Sequence, residues 1–349
     1  MNARVEVAAI GARTPVGLRA ASSAAAVRAG ISRYAEYPFI DLHGERVVVA
    51  ADQLLETRLE GRERLMPMAE SVLEEMETQL GEKILYGGRL SVLLALPETR
   101  PGFSEGDAAW VVESLATRFR AKTSKARVEL AGRGHAGVIR AVEQVMGECS
   151  ESRDDLFLVL GAESYHHADT FMWLERERRF AQPGIRSGFT PGEGAGGLVL
   201  MSAGLRRRLS LPPLAIVRGV CTAQEARLRE SETGSFGVGM TQAVQGAVAG
   251  LDLPREGVDA VYTDINGARY RSEEWGFVAL RAPMVWKTPG YKAPSDCWGD
   301  VGAAFGALGS VLALQAFARG YARGPRALVM AGSDSGLRGA MLLQAPRVS

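Results

Sequence analysis

Residues Val301–Ala318 read VGAAFGALGSVLALQAFA, a helix-length run with no charge and very little side-chain bulk. Small residues at that density let a helix lie close against neighbouring backbones in a buried layer. The first half holds a counterpart, the Gly/Ala-rich stretch Gly134–Met146. A chain with two such helices has to build its interior in layers.

The strands around these helices come in the same order in both halves. Each half opens with a short apolar strand closed by a Gly turn, Val5–Ile10 with Gly11 and Leu214–Arg218 with Gly219. Each low-bulk helix leads to a continuous apolar strand, Leu156–Leu160 before Gly161-Ala162-Glu163-Ser164, and Ala327–Met330 before Ala331–Gly336. One more strand follows in each half, Gly197–Met201 and Gly339–Leu343. Continuous apolar strands alternating with helices predict an α/β fold with a mixed, mostly parallel sheet covered on both faces. The matched order predicts two duplicated βαβ-rich halves, 1–205 and 206–349, joined through Ser202–Pro213 with its Arg206-Arg207-Arg208 run and Pro212-Pro213. At 349 residues, 46% of them hydrophobic, the chain can bury a sizeable core.

Charge excludes some partners. A net charge of +1 offers no electrostatic footprint for nucleic acid or a membrane surface. The Arg206–Arg208 and Glu175–Arg179 runs read as solvated faces. Cys149, Cys221 and Cys297 are unevenly spaced and argue a reducing compartment without a disulfide framework. With no signal segment and no spanning stretch in view, a cytoplasmic location is expected.

Several segments resemble the β-ketoacyl synthases of the thiolase-like superfamily. The opening VEVAAIGARTPVG, Val5–Gly17, is similar to their first strand and turn. The run from Gly188-Phe189-Thr190-Pro191 through Gly192-Glu193-Gly194-Ala195-Gly196-Gly197 matches their Gly-Phe-x-x-Gly-Glu-Gly-Ala-Gly and is the most specific of these likenesses. Gly161-Ala162-Glu163 resembles a strand-end Gly-Gly-Ala-Glu, and Ala331–Gly336 stands where the family has a Gly-Phe-Gly-Gly turn. The resemblance implies the five-layer αβαβα thiolase-like fold and a dimer paired through the first half. It implies no cofactor and no metal. An acyl carrier protein or acyl-CoA is the partner the family would bring.

The same likeness locates the chemistry. In the family a cysteine at a strand-to-helix corner carries the acyl group, its thiolate stabilised by the helix amides. Two histidines assist decarboxylation. In Val128–Gly137 the cysteine position falls on Gly132, which has no nucleophile. The first histidine position falls on Asn266, the second on Asp300, and the family lysine on Ser295. Asn266 can donate a hydrogen bond but cannot exchange a proton near neutrality. An ionised Asp300 would oppose the negative charge of a malonyl carboxylate or enolate. At an effective dielectric of about 20, a like charge at 4 Å costs on the order of 4 kcal/mol. Condensation by the usual route is therefore expected to be absent.

His135, three residues after Gly132, is the nearest candidate for a substitute base, although a hydrogen-bonded histidine at a helix start is the plainer reading. Cys297, three residues before Asp300, could lie on a cleft-lining loop or be a small buried thiol. Asn266, Arg269 and Arg271 could bind an anionic or carbonyl group, or belong to a surface turn before a helix capped by Ser272. His166, His167 and Asp169 fit a polar loop or helix start better than a metal site. Glu193 is expected to be structural, accepting bonds from tight-turn amides exposed by its glycines. Two functions follow. One is a degenerate synthase-like subunit serving as a binding, scaffold or partner protein, in a homodimer or with a related chain. This shortened type is similar to bacterial proteins associated with type VI secretion neighbourhoods. The other is an acyl-thioester acyltransferase, hydrolase or lyase working through Asp300 and Asn266.

Overall fold

The computed structural model describes residues 3–346 apart from 43, 183, 230, 232 and 233. Its strands are β1 (Val5–Arg13), β2 (Tyr34–Ile40), β3 (Arg46–Ala50), β4 (Arg89–Leu96), β5 (Ala126–Arg133), β6 (Asp155–Ser164), β7 (Glu193–Ser202), β8 (Ala215–Gln224), β9 (Ala260–Thr263), β10 (Arg326–Gly332) and β11 (Leu337–Gln344). Its helices are α1 (Ala20–Arg28), α2 (Arg62–Leu80), α3 (Glu82–Gly87), α4 (Glu105–Lys122), α5 (Gly137–Glu148), α6 (Ala168–Arg176), α7 (Ala203–Arg208), α8 (Val238–Val248), α9 (Arg269–Arg281), α10 (Ser295–Trp298) and α11 (Phe305–Ala318).

Nine strands join in the order β5-β4-β6-β7-β1-β8-β11-β10-β9, with β2 and β3 forming a separate hairpin. The order mirrors about the β1–β8 contact: β7, β6 and β4 on one side answer β11, β10 and β9 on the other. The strands β4, β5 and β6 run parallel, as do β9 and β10, while β7 and β11 are antiparallel to their neighbours and β1 to β8, so the sheet is mixed but not mostly parallel as the apolar runs suggest. Only β5 has no counterpart, and it forms a free edge.

Side-chain alternation sorts the strands into layers. Leu156, Leu158 and Leu160 pack outward with Leu65, Val72 and Met76 of α2 and Val111 and Leu115 of α4. Phe157 and Val159, from the same strand, pack inward with Val138 and Val142 of α5 and Leu308 and Val311 of α11. In the other half Val329 and Met341 join that same central cluster, whereas Leu328 and Leu342 face Met240 and Val244 of α8 and Val278 of α9. Helix, sheet, helix, sheet, helix: this is the five-layer arrangement, with α5 and α11 in the middle.

The strands are longer than the apolar runs suggest, and the glycines fall inside them. Gly11 does not close β1. A Cβ there would lie 2.6 Å from the Val72 carbonyl of α2. Gly219 holds the same place in β8, against the Ala247 carbonyl of α8. Each glycine lets an outer helix touch strand backbone, one per half. The Gly194–Gly197 run is also strand, where Gly196 meets Ala307 and Leu308 of α11 and Gly197 meets Met76. In the central layer a Cβ on Gly161 would meet the Ala303 carbonyl at 2.5 Å and Val138 at 2.7 Å. Gly161→Ala is therefore expected to destabilise the fold by about 1–3 kcal/mol through overpacking, read as a lowered urea midpoint at unchanged slope.

Candidate functional site

Three of the sequence-predicted residues converge beneath the ends of β5, β9 and the α10–α11 connection. Asp300, 3% exposed, accepts a bond from the Gly302 amide (2.7 Å), one from the Asn266 side-chain amide and one from Tyr165 (3.4 Å). His135 Nε2 lies 2.8 and 3.1 Å from the two Asp300 carboxylate oxygens. The imidazole is 4% exposed and stands between Asp300 and Arg271, whose guanidinium lies within 3.3 Å of both ring nitrogens. Arg271 in turn donates to Asp264 and to the Gly332 carbonyl (2.6 Å).

Burial by itself pushes the Asp300 carboxyl up, but His135, Arg271 and the Gly302 amide hold it well below the usual carboxylate range. For His135, burial and Arg271 both disfavour a charged ring. The Asp300 carboxylate outweighs them and raises the imidazole above its ordinary 6.5. The Asp300 carboxylate lies on the Nε2 side of the ring, and Nδ1 faces the Arg271 guanidinium at 3.3 Å.

Beside His135 opens a cleft of about 320 Å³, walled by Glu98, Arg100, Gly134, Tyr165, Arg179 and Asp334 among others. The corner that faces it is Gly134, at φ +64° between β5 and α5. Gly132 lies two residues earlier, inside β5, where a Cβ would strike the Gly137 backbone at the start of α5. The strand runs further than the apolar pattern implies, so the turn falls later than Gly132. A Cβ on Gly134 would meet the Glu98 carboxylate at 2.7 Å and Ser333 Oγ at 2.8 Å. Glu98 accepts the Asp334 and Ser335 amides, both at 2.9 Å. Two adjacent amides of this kind form the sort of nest that holds an oxyanion, and here the chain's own carboxylate fills it.

Charged side chains line the rest of the cleft and are mostly paired. Arg100 donates to Glu163 (2.6 Å) and to the Ser164 carbonyl (2.8 Å), with its guanidinium 4.3 Å from the centroid of the Tyr165 ring. Arg179 donates to Asp334 (2.6 Å), which also accepts from Tyr270 (2.9 Å). Arg179 belongs to a run read from sequence as a solvated face. Folding buries it, because the chain turns back after α6 and brings it to the final strand turn.

The other candidates lie elsewhere. Arg269 is exposed and pairs along α9 with Glu273 (2.6 Å), so it does not reach the cleft. That helix begins at Arg269, leaving Ser272 inside it and not at its cap. Cys297 sits buried in α10 against a different cavity, and burial pushes its thiol up, away from nucleophile chemistry. Ser295 is used structurally, its hydroxyl donating to the Ile265 carbonyl (2.5 Å).

Glu193 opens β7, fully buried, and is held by side chains and not by tight-turn amides of the glycine run. Arg64 donates to it twice (2.6 and 2.7 Å), Ser164 once (2.9 Å), and the Asp52 amide once (2.7 Å). His166 lies 3.3 Å from Glu193 while His167 caps α6 by accepting from the Asp169 amide, so the two histidines point apart. Glu98, Arg100 and Asp334 do not stand out in the sequence. Isolated charges in loops carry no periodicity, and only their convergence marks them.

Solved structures share this fold. A structure of a type II PKS acyl-carrier protein in complex with its ketosynthase matches at TM-score 0.76 and 15% identity, over 99% of this chain and 100% of the other. A β-ketoacyl synthase from Burkholderia phymatum matches at 0.70 and 16%, over 99% and 100%. The ishigamide ketosynthase/chain length factor matches at 0.68 and 19%, over 98% and 99%. No protein-family model matches the sequence, and a search of curated proteins returns no match. At these identities the likeness is one of fold: the protein has the thiolase-like fold of the ketosynthases. Among the described residues no helix is long and apolar enough to cross a membrane.

The His135–Asp300 pair makes stability depend on pH in two directions. The raised imidazole contributes fully below 6.5 and loses that contribution as pH climbs through its higher folded value. The depressed carboxyl contributes above its ordinary 3.8 and loses it as pH falls toward its lower folded value. Urea midpoints measured across this range should fall on the alkaline side for the parent protein, and His135→Gln should remove that alkaline decline while lowering the neutral plateau.

Proposed function

We propose that this protein is a ketosynthase-like subunit without condensing activity, serving as a binding, scaffold or partner protein. The observation that carries the reading is the Gly134 corner, where the Glu98 carboxylate occupies the space a nucleophile's side chain would need. Whether the cysteine position is counted at Gly132 or at this corner, a glycine stands there and nothing can hold an acyl group. Asn266 and Asp300, at the two histidine positions, are bonded to each other. Asp300 brings negative charge where an enolate would need the opposite. On this reading the two halves meet near 205/206, and the protein engages an acyl carrier protein, the partner held by one of the ketosynthases it resembles.

Intact-mass measurement after incubation with acyl-CoA or acylated carrier protein, with thiol release followed in parallel, tests the proposal. No adduct and no released thiol are expected. A second reading, an acyl-thioester hydrolase or lyase, draws on the buried His135–Asp300 pair at the cleft wall. It requires thiol release that disappears in Asp300→Ala, and that result would displace the first reading.

The free edge of β5, with Leu130 exposed on it, supports pairing with a second copy or a related chain. Leu130→Lys is expected to shift the mass seen by light scattering from dimer to monomer without altering the circular dichroism spectrum.

A further inference from the structure

A second cavity, of about 350 Å³, lies between the end of α1, the 292–297 segment and α11, and shares no lining residue with the cleft. Its apolar wall includes Ala24, Val27, Pro294 and Leu312. Arg28 reaches it with its guanidinium 4.2 Å from the centroid of the Tyr321 ring. Lys292 Nζ lies 3.3 Å from the hydroxyl of buried Tyr262. Arg323 acts on Lys292 as a like charge. Among the described residues Arg28, Lys292 and Arg323 have no carboxylate partner, and Asp296 is the one acid on the cavity wall.

We propose that this cavity binds a small organic anion, its apolar body against Val27, Pro294 and Leu312 and its carboxylate or phosphate head between Lys292 and Arg28. Unpaired cations at the mouth of an apolar cavity match such a molecule on both counts: its tail leaves water and its head relieves their repulsion. Burial, then Arg323, lowers the Lys292 pKa, and a bound anion would act in the opposite direction. The facing groups that set this balance are Arg28 from α1, Tyr262 from β9, Asp296 and Cys297 from α10, and Tyr321 and Arg323 after α11. The inference does not depend on whether the cleft is catalytic.

Calorimetric titration of the whole protein with octanoate, octyl phosphate and 1-octanol tests it. One or both anions should bind saturably at one site, at least about tenfold more tightly than the alcohol, as expected for one charge-assisted contact. The tighter of the two anions identifies the head group. Lys292→Gln and Arg28→Gln, both at exposed side chains, should each weaken the anion about tenfold and leave the melting temperature and the alcohol unchanged. Glu98→Gln, in the separate cleft, should leave anion binding intact. Absence of saturable binding, an alcohol that binds as well as the anions, or anion binding indifferent to both variants would overturn the proposal. Acyl-thioester turnover is not a readout here, so the two proposals fail independently.

Discussion

Contact between helix and strand backbones, made where a glycine removes the intervening side chain, is the constraint on which this fold rests. Gly11 and Gly219 admit the outer helices α2 and α8 to equivalent strands of the two halves. Gly161 and Gly196 admit the α11 segment to the central layer. Each contact brings large flat surfaces to interior packing density, where dispersion is collectively large. The low-bulk helix α11 is the other side of the same arrangement, since Leu- or Phe-rich faces would hold the two sheets further apart. The site inherits its geometry from this closeness: Asp300 sits just ahead of α11 and His135 just ahead of α5, and the contact of these helices sets the two groups 2.8 Å apart.

What fills the site is charge. Asp300, Asp264, Asp334 and Glu163 face His135, Arg271, Arg179 and Arg100 in a largely buried network. Moving so many charges out of water is costly, and their mutual attraction only roughly offsets it. Such a network is poor as a source of stability and effective at holding one arrangement. Here the corner has no side chain, the amide nest is closed by Glu98, and the imidazole is held from both sides. The cleft that remains carries charged side chains, Glu98, Arg100, Arg179 and Asp334, beside Tyr165 and Trp173.

Much of the architecture was legible in residue order. Alternation of apolar strands with low-bulk helices announced the layers, and the repeated order of the two halves reappears as the mirrored strand sequence about β1 and β8. Asn266, His135 and Asp300 could be named because each stands beside a motif of small residues, and folding does bring them together. Gly132 lies inside β5 and Gly134 at the turn into α5, a difference the sequence hides because a glycine inside a strand and one at its end look alike until strand length is known. Glu193 was recognised as structural, but its partners Arg64, Ser164 and Asp52 lie 29 or more residues away and leave no local trace. Arg179 shows the converse: in a run of charges it looks solvated, and only the return of the chain to the final turn buries it.

Periodicity and side-chain volume belong to short stretches of chain, so the order of amino acids alone determined the layered α/β class, its internal repetition and the absence of a thiol at the corner. Which charges meet is a property of distance in space. The closure of the amide nest by Glu98, the clamping of His135 between Asp300 and Arg271, and the unpaired cations around the second cavity were therefore decided only when the chain folded.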